Sequence, residues 1–124
     1  MIIGIDFDGT CVTHDFPRVG RYIGAEPVLC ELVEAGHQLI LWTMRSDDPL
    51  QDAVDWFTER KIPLYGVNVN PRQRSWTNSP KAYAQMYIDD AALGIPLISG
   101  SVGESPYVNW TLVRELLVQR GLLP

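Results

Sequence analysis

No run of roughly 18 apolar residues occurs in this 124-residue chain, so no membrane-spanning helix is expected. Positive charge is scarce: ten Lys and Arg stand against fifteen Asp and Glu, for a net charge of −5. That balance argues against non-specific binding to nucleic acid or anionic lipid, which needs a basic face. It also means that an anionic substrate needs a cation or a few placed basic groups. No basic segment followed by an apolar one precedes the first strand-like run, so a cytoplasmic protein without a signal peptide is expected. Cysteine is nearly absent, and Cys11 and Cys30 read as reduced thiols. His14 and His37 are isolated surface residues on this reading, and no His/Cys grouping suggests zinc. A phosphate-binding G-x-x-x-x-G-K-[ST] loop and a dinucleotide G-x-G-x-x-G turn are both missing, and Gly9 and Thr10 come too early for a calcium loop. With no repeat, low-complexity tract or linker, residues 1–124 read as one domain.

The most informative stretch present is Ile2-Ile3-Gly4-Ile5-Asp6-Phe7-Asp8-Gly9-Thr10. Its apolar start predicts a buried strand. Ligands of open α/β sheets gather outside the carboxyl ends of the strands, where Asp6 and Asp8 would stand. Two residues apart on an extended chain, these carboxylates share a face. They repel one another, and a divalent cation with hard oxygen ligands is the simplest way to hold them together.

Strand and helix signals alternate along the rest of the chain. Strands are expected at 2–6, 38–43, 64–67, 85–88 and 96–98. A helix is expected at 27–35, with Pro27 in its first turn and Gly36 as its stop. Another is expected at 49–60, with Asp48 as N-cap, Pro49 first and Gln51 as capping-box partner; Leu50, Ala53, Val54 and Phe57 form its buried stripe. Ser79-Pro80 should open a brief helical turn. A last helix is expected at 107–120, with Trp110, Val113, Leu116 and Leu117 facing in. Such alternation implies a parallel sheet with helices on both faces.

Four of these segments, in order, resemble the motifs of the haloacid dehalogenase-like (HAD) superfamily of phosphatases. The Asp6-Phe7-Asp8-Gly9-Thr10 segment resembles the first. Leu39-Ile40-Leu41-Trp42 ending in Thr43 resembles the second, Lys81 the third, and Tyr87-Ile88-Asp89-Asp90 the fourth. The resemblance implies a Rossmann-like three-layer α/β/α sandwich with a central parallel sheet. The segments 11–26 and 44–79 are too short for a cap domain, so a capless site is expected. It is open, closed by a flap around His14, Phe16, Arg18, Arg21 and Tyr22, or covered by a second subunit in a homo-oligomer.

The resemblance also implies roles. Asp6 would be the nucleophile, forming an aspartyl-phosphate. Asp8 would be the general acid and base, with its backbone carbonyl on Mg²⁺. Gly9 permits close approach of the backbone to a phosphate, and Thr43 with the Met44 amide would hold phosphate oxygens. Arg45 either reaches substrate or is a solvated loop charge. Lys81 would neutralise Asp6 and the transferring group; a cation in a first helical turn opposes the helix dipole, and such exceptions mark functional sites. Asp90 is assigned to Mg²⁺ with Asp6, and Asp89 to Lys81 or a metal-bound water, although the two acids can exchange these roles.

A Mg²⁺-dependent phosphomonoester hydrolase acting on a small phosphorylated substrate is therefore expected. The alternatives are a nucleic-acid-end or nucleotide phosphatase and a non-catalytic HAD-like binding module. Net charge disfavours nucleic acid, though Arg18, Arg21, Arg72 and Arg74 would make a local basic patch. The loop Asn68–Trp76 either grips a substrate's second charge or base or covers the edge of the core. Ser105–Trp110 reads as a structural latch.

Overall fold

A computed structural model describes residues 1–124. Strand β1 (Ile2–Ile5) is the centre of a four-stranded sheet. It pairs in parallel with β2 (Gln38–Leu41) on one side and β4 (Met86–Ile88) on the other, and β3 (Gly66–Val67) lies outside β2. Gly4 faces the Tyr87 ring, and a Cβ at that position would sit 2.8 Å from Tyr87 Cδ1, so the packing admits only glycine. The result is a Rossmann-like α/β fold around a central parallel sheet, with no cap domain.

Register places Ile3, Ile5, Leu39, Leu41 and Ile88 on one sheet face. These join a single core with Val28, Leu29 and Leu32 of α1 (Ala25–Glu34), Ala53, Trp56 and Phe57 of α2 (Asp47–Glu59), and Val113 and Leu117 of α3 (Trp110–Gln119). All three helices therefore cover this face. Glu26 of α1 pairs with Arg60 at the end of α2, and Glu31 holds Arg114 of α3 through two bonds of 2.9 and 2.7 Å. On the other face, where Ile40 is fully buried, the third layer is thin. It is the loop between β3 and β4, with one 3-10 turn at Gln73–Ser75. Tyr87 reaches into this layer and donates its hydroxyl to the Ala82 carbonyl at 2.6 Å.

The helix starts differ from expectation for local reasons. Helix α1 begins at Ala25, after Gly24 with φ 97°. Helix α2 begins at Asp47 with Ser46 as N-cap, so Pro49 is its third residue, where a missing N–H costs nothing. Gln51 makes no capping box; it donates to Asp55 one turn on. The helical turn expected after Ser79-Pro80 does not form, because the buried Gln73 side chain takes the carbonyls of Ser79 and Lys81. Tyr107–Val108 is not helical but forms β6, antiparallel to β5 (Leu97–Ile98). The helix starts three residues later, where the Asn109 side chain accepts from the Leu112 amide. Leu116, expected in the core, is 43% exposed. Both cysteines are free thiols, Cys11 fully buried. No helix is long and apolar enough to cross a membrane.

Candidate active site

Asp6, Thr43, Asn68 and Asp89 all follow the carboxyl ends of neighbouring parallel strands, so the topology alone gathers them on one edge. There, one carboxylate oxygen from each of Asp6, Asp89 and Asp90 lies within 4.8 Å of the others. The buried Thr10 hydroxyl ties the group together: it donates to Asp6 Oδ2 at 2.7 Å and accepts from the Asp90 amide at 3.0 Å. Burial pushes the Asp6 carboxyl up to about 8; the Thr10 bond opposes this, and Asp89 and Asp90 add to it. Asp89 is also raised, chiefly by burial and further by Asp90. The set consists entirely of hard oxygen donors and carries an excess of negative charge, which is the chemistry of a site for Mg²⁺ or a similar cation.

His14 is exposed, as expected, but it is not isolated. Its Nε2 lies 2.7 Å from Asp90 Oδ2, bringing the flap onto the acid cluster. Gly9, at φ 80°, sits beneath this pair, and a Cβ there would collide with both His14 Nε2 and Asp90 Oδ2. The pairing spans 76 residues of sequence, so no local pattern announces it.

Arg45 is neither a substrate ligand nor a solvated charge: its side chain is 1% exposed. Nε and Nη2 donate to the two oxygens of Asp8 at 2.8 and 2.7 Å. Nη1 donates to the carbonyls of Pro17 and Pro49, and Nη2 also to the carbonyl of Arg18. All five guanidinium N–H donors are thus used, with the Phe7 and Phe16 rings on its faces. Arg45 is a brace that fixes Asp8, the flap and the start of α2 to one another. No motif signals such a brace, because all five of its bonds reach a residue on another segment or a backbone carbonyl.

Thr43 is held by both neighbours. Its amide donates to Asn68 Oδ1 at 2.8 Å and its hydroxyl accepts from the Arg45 amide at 3.1 Å, leaving the hydroxyl proton free. Asn68, at φ 55°, opens the loop Asn68–Trp76, and no local pattern marks its bond to Thr43. The Met44 side chain is almost wholly exposed, and its amide has no acceptor in the protein. The half-buried Asp8 has an amide without an acceptor in the protein as well. The rim between β1 and β2 thus presents unused donors, as an anion site requires.

Lys81 occupies a bend rather than a helix start, and it forms no ion pair with Asp6 or Asp89. Its Nζ lies 5.4 Å from the centre of the Tyr87 ring, and it lines a hollow of about 270 Å³ with Trp42 and Asp89. The flap itself is a short hairpin in which Val12 bridges to both Asp8 and Tyr22. Arg18 pairs with Asp15, and Arg21 with Glu104, so neither is a free cation. The segment ending at Trp110 is a latch, as expected: the Val108 amide donates to the Gly9 carbonyl at 3.0 Å, and Trp110 Nε1 to the Thr10 carbonyl at 2.6 Å.

These features define a small α/β protein with an acidic cluster at the carboxyl edge of its sheet. No protein-family model matches the chain, and no curated protein does. Among solved structures, a conserved protein from Bacteroides thetaiotaomicron matches with 32% sequence identity and a TM-score of 0.79, over 97% of this chain and 91% of that one. The chain belongs to the family of that conserved protein.

Proposed function

We propose that this chain is a Mg²⁺-dependent phosphomonoester hydrolase of the haloacid dehalogenase-like type. The observation that carries the reading is the convergence of Asp6, Asp89 and Asp90 within 4.8 Å beside a strand-end threonine. The Asp6, Asp89 and Asp90 side chains and the Asp8 carbonyl would hold the cation, which would neutralise charge on the phosphoryl group when bound.

Asp6 attacks phosphorus and forms an aspartyl-phosphate as the bond to the leaving oxygen breaks. Asp8 gives its proton to that oxygen. It then takes a proton from the water that cleaves the acyl phosphate, releasing inorganic phosphate and restoring Asp6. Each Asp8 oxygen accepts one bond from Arg45 and keeps a second lone pair for the proton it passes. The Thr43 hydroxyl and the unused amides of Asp8 and Met44 hold the phosphoryl oxygens. Lys81 serves the same charge by swinging from the Tyr87 ring into the hollow it shares with Asp89.

Hydrolysis of an aryl phosphate, with Mg²⁺ and with excess chelator, tests this reading. Turnover is expected only with the metal, and Asp6→Asn should abolish it. Full activity in chelator, or near-native rates for Asp6→Asn, would refute it.

A further inference from the structure

From Arg60 to Ile88 the chain contains no Asp or Glu at all, although the protein as a whole has a net charge of −5. The stretch carries Arg60, Lys61, Arg72, Arg74 and Lys81. Arg60 is taken by Glu26, but Arg72, Arg74 and Lys81 have no carboxylate partner. These three sit on the loop that forms the thin third layer. The negative charge is concentrated elsewhere: Asp47, Asp48, Asp52, Asp55 and Glu59 all lie on α2, across the sheet. An acidic protein thus has one cationic face.

That face adjoins the catalytic edge at both ends of the loop. Asn68, at its start, holds the Thr43 amide, and it shares a hollow of about 170 Å³ with Arg74. Lys81, near its end, shares the other hollow with Asp89. Between them Trp76 is 62% exposed and stands edge-on to Tyr83, 5.4 Å between ring centres. The loop is also tied down from within by hydrogen bonds. Buried Gln73 binds the Ser79 and Lys81 carbonyls and the Tyr83 amide; buried Asn70 binds the Tyr83 carbonyl and the Arg72 amide. A platform ordered in advance loses little entropy when it binds.

We propose that this loop docks the non-reacting part of the substrate, and that the substrate is the phosphorylated end of a single-stranded nucleic acid. The proposal rests on the hydrolase reading for the reacting end alone. Arg72 and Arg74 supply positive charge for phosphates beyond the one being cleaved, and Trp76 an open ring for a base to stack on. The capless rim lets a strand pass.

The test uses Asp6→Asn protein with Mg²⁺ and a fluorescent single-stranded oligonucleotide phosphorylated at one end, read by anisotropy. For about three phosphate contacts, log K should fall with log salt at a slope of about −2, and Arg72→Ala with Arg74→Ala should reduce that slope to about −0.7. Trp76→Ala should weaken binding about tenfold. The thermal midpoints of these variants, and their stabilisation by Mg²⁺, should match those of the parent. An unchanged slope and affinity in the folded variants would overturn the proposal. So would a nucleoside monophosphate that competes as well as the strand. Wild-type hydrolysis of aryl phosphate separates the two ideas: turnover with no strand binding sinks the platform alone, and strand binding with no turnover sinks the hydrolase alone.

Discussion

The acid cluster costs the metal-free protein stability, and the cost depends on pH. Asp6 has its carboxyl raised from 3.8 to about 8, first by burial and then by Asp89 and Asp90. A raised carboxyl stabilises the fold fully below its unfolded value near 4, and that contribution is lost as pH climbs to about 8. One pKa unit corresponds to about 1.4 kcal/mol, so the full shift has a ceiling of roughly 6 kcal/mol. Asp6→Asn removes the titration but keeps an oxygen to accept from Thr10. In chelator, the variant should match wild type near pH 4 and exceed it near pH 9. At about 3–5 °C per kcal/mol for a domain of this size, half the ceiling raises the midpoint by on the order of 10 °C. Thermal scans of both proteins at several pH values, with chelator and with Mg²⁺, make the measurement. Mg²⁺ should narrow the gap by stabilising wild type at high pH more than the variant, which keeps Asp89 and Asp90 for the cation. A variant no more stable than wild type at pH 9 in chelator would refute the electrostatic reasoning.

Other consequences are as specific. Arg45→Ala should destabilise by about 3–5 kcal/mol in urea unfolding, because it strands the half-buried Asp8 carboxylate, and Arg45→Lys, with three donors for five acceptors, should recover only part of the loss. Gly9→Ala should cut Mg²⁺ affinity and turnover more than tenfold, since a Cβ displaces Asp90 and His14; wild-type values for both would show that the turn yields easily. Asp8→Asn should slow dephosphorylation more than phosphorylation, so phosphoenzyme should accumulate in acid-quenched reactions, and a quench showing none would remove Asp8 from the second step. In calcium the rate should drop well below that in Mg²⁺, because the larger ion relaxes the coordination geometry, and equal rates would contradict the catalytic role given to the metal.

What the sequence revealed and what it concealed follow a physical line. Ile2–Ile5, Leu39–Trp42 and Met86–Ile88 are apolar runs that end in polar residues, and a parallel sheet is the arrangement that buries them on both faces. The acid cluster was legible for the same reason, since Asp6 and Asp89 sit where two such runs stop. Arg45 and His14 were not legible. Each acts through partners distant in sequence, and a buried arginine bound to carbonyls leaves the same local pattern as a solvated one. Lys81 misled because Ser79-Pro80 looks like a helix start; the outcome was decided by Gln73, whose side chain claimed the carbonyls that a helix would have used.

Trp110 Nε1 holds the Thr10 carbonyl, and Val108 holds that of Gly9, although a hundred residues separate the tryptophan from the turn it supports. During synthesis the turn bearing Asp6, Asp8 and Thr10 is made a hundred residues before its support. Until Trp110 and Val108 are made, that turn has only its local bonds, such as those from the Thr10 and Cys11 amides to the Phe7 carbonyl. The acidic turn and the carboxyl-terminal helix therefore complete one another, although they are made far apart in time.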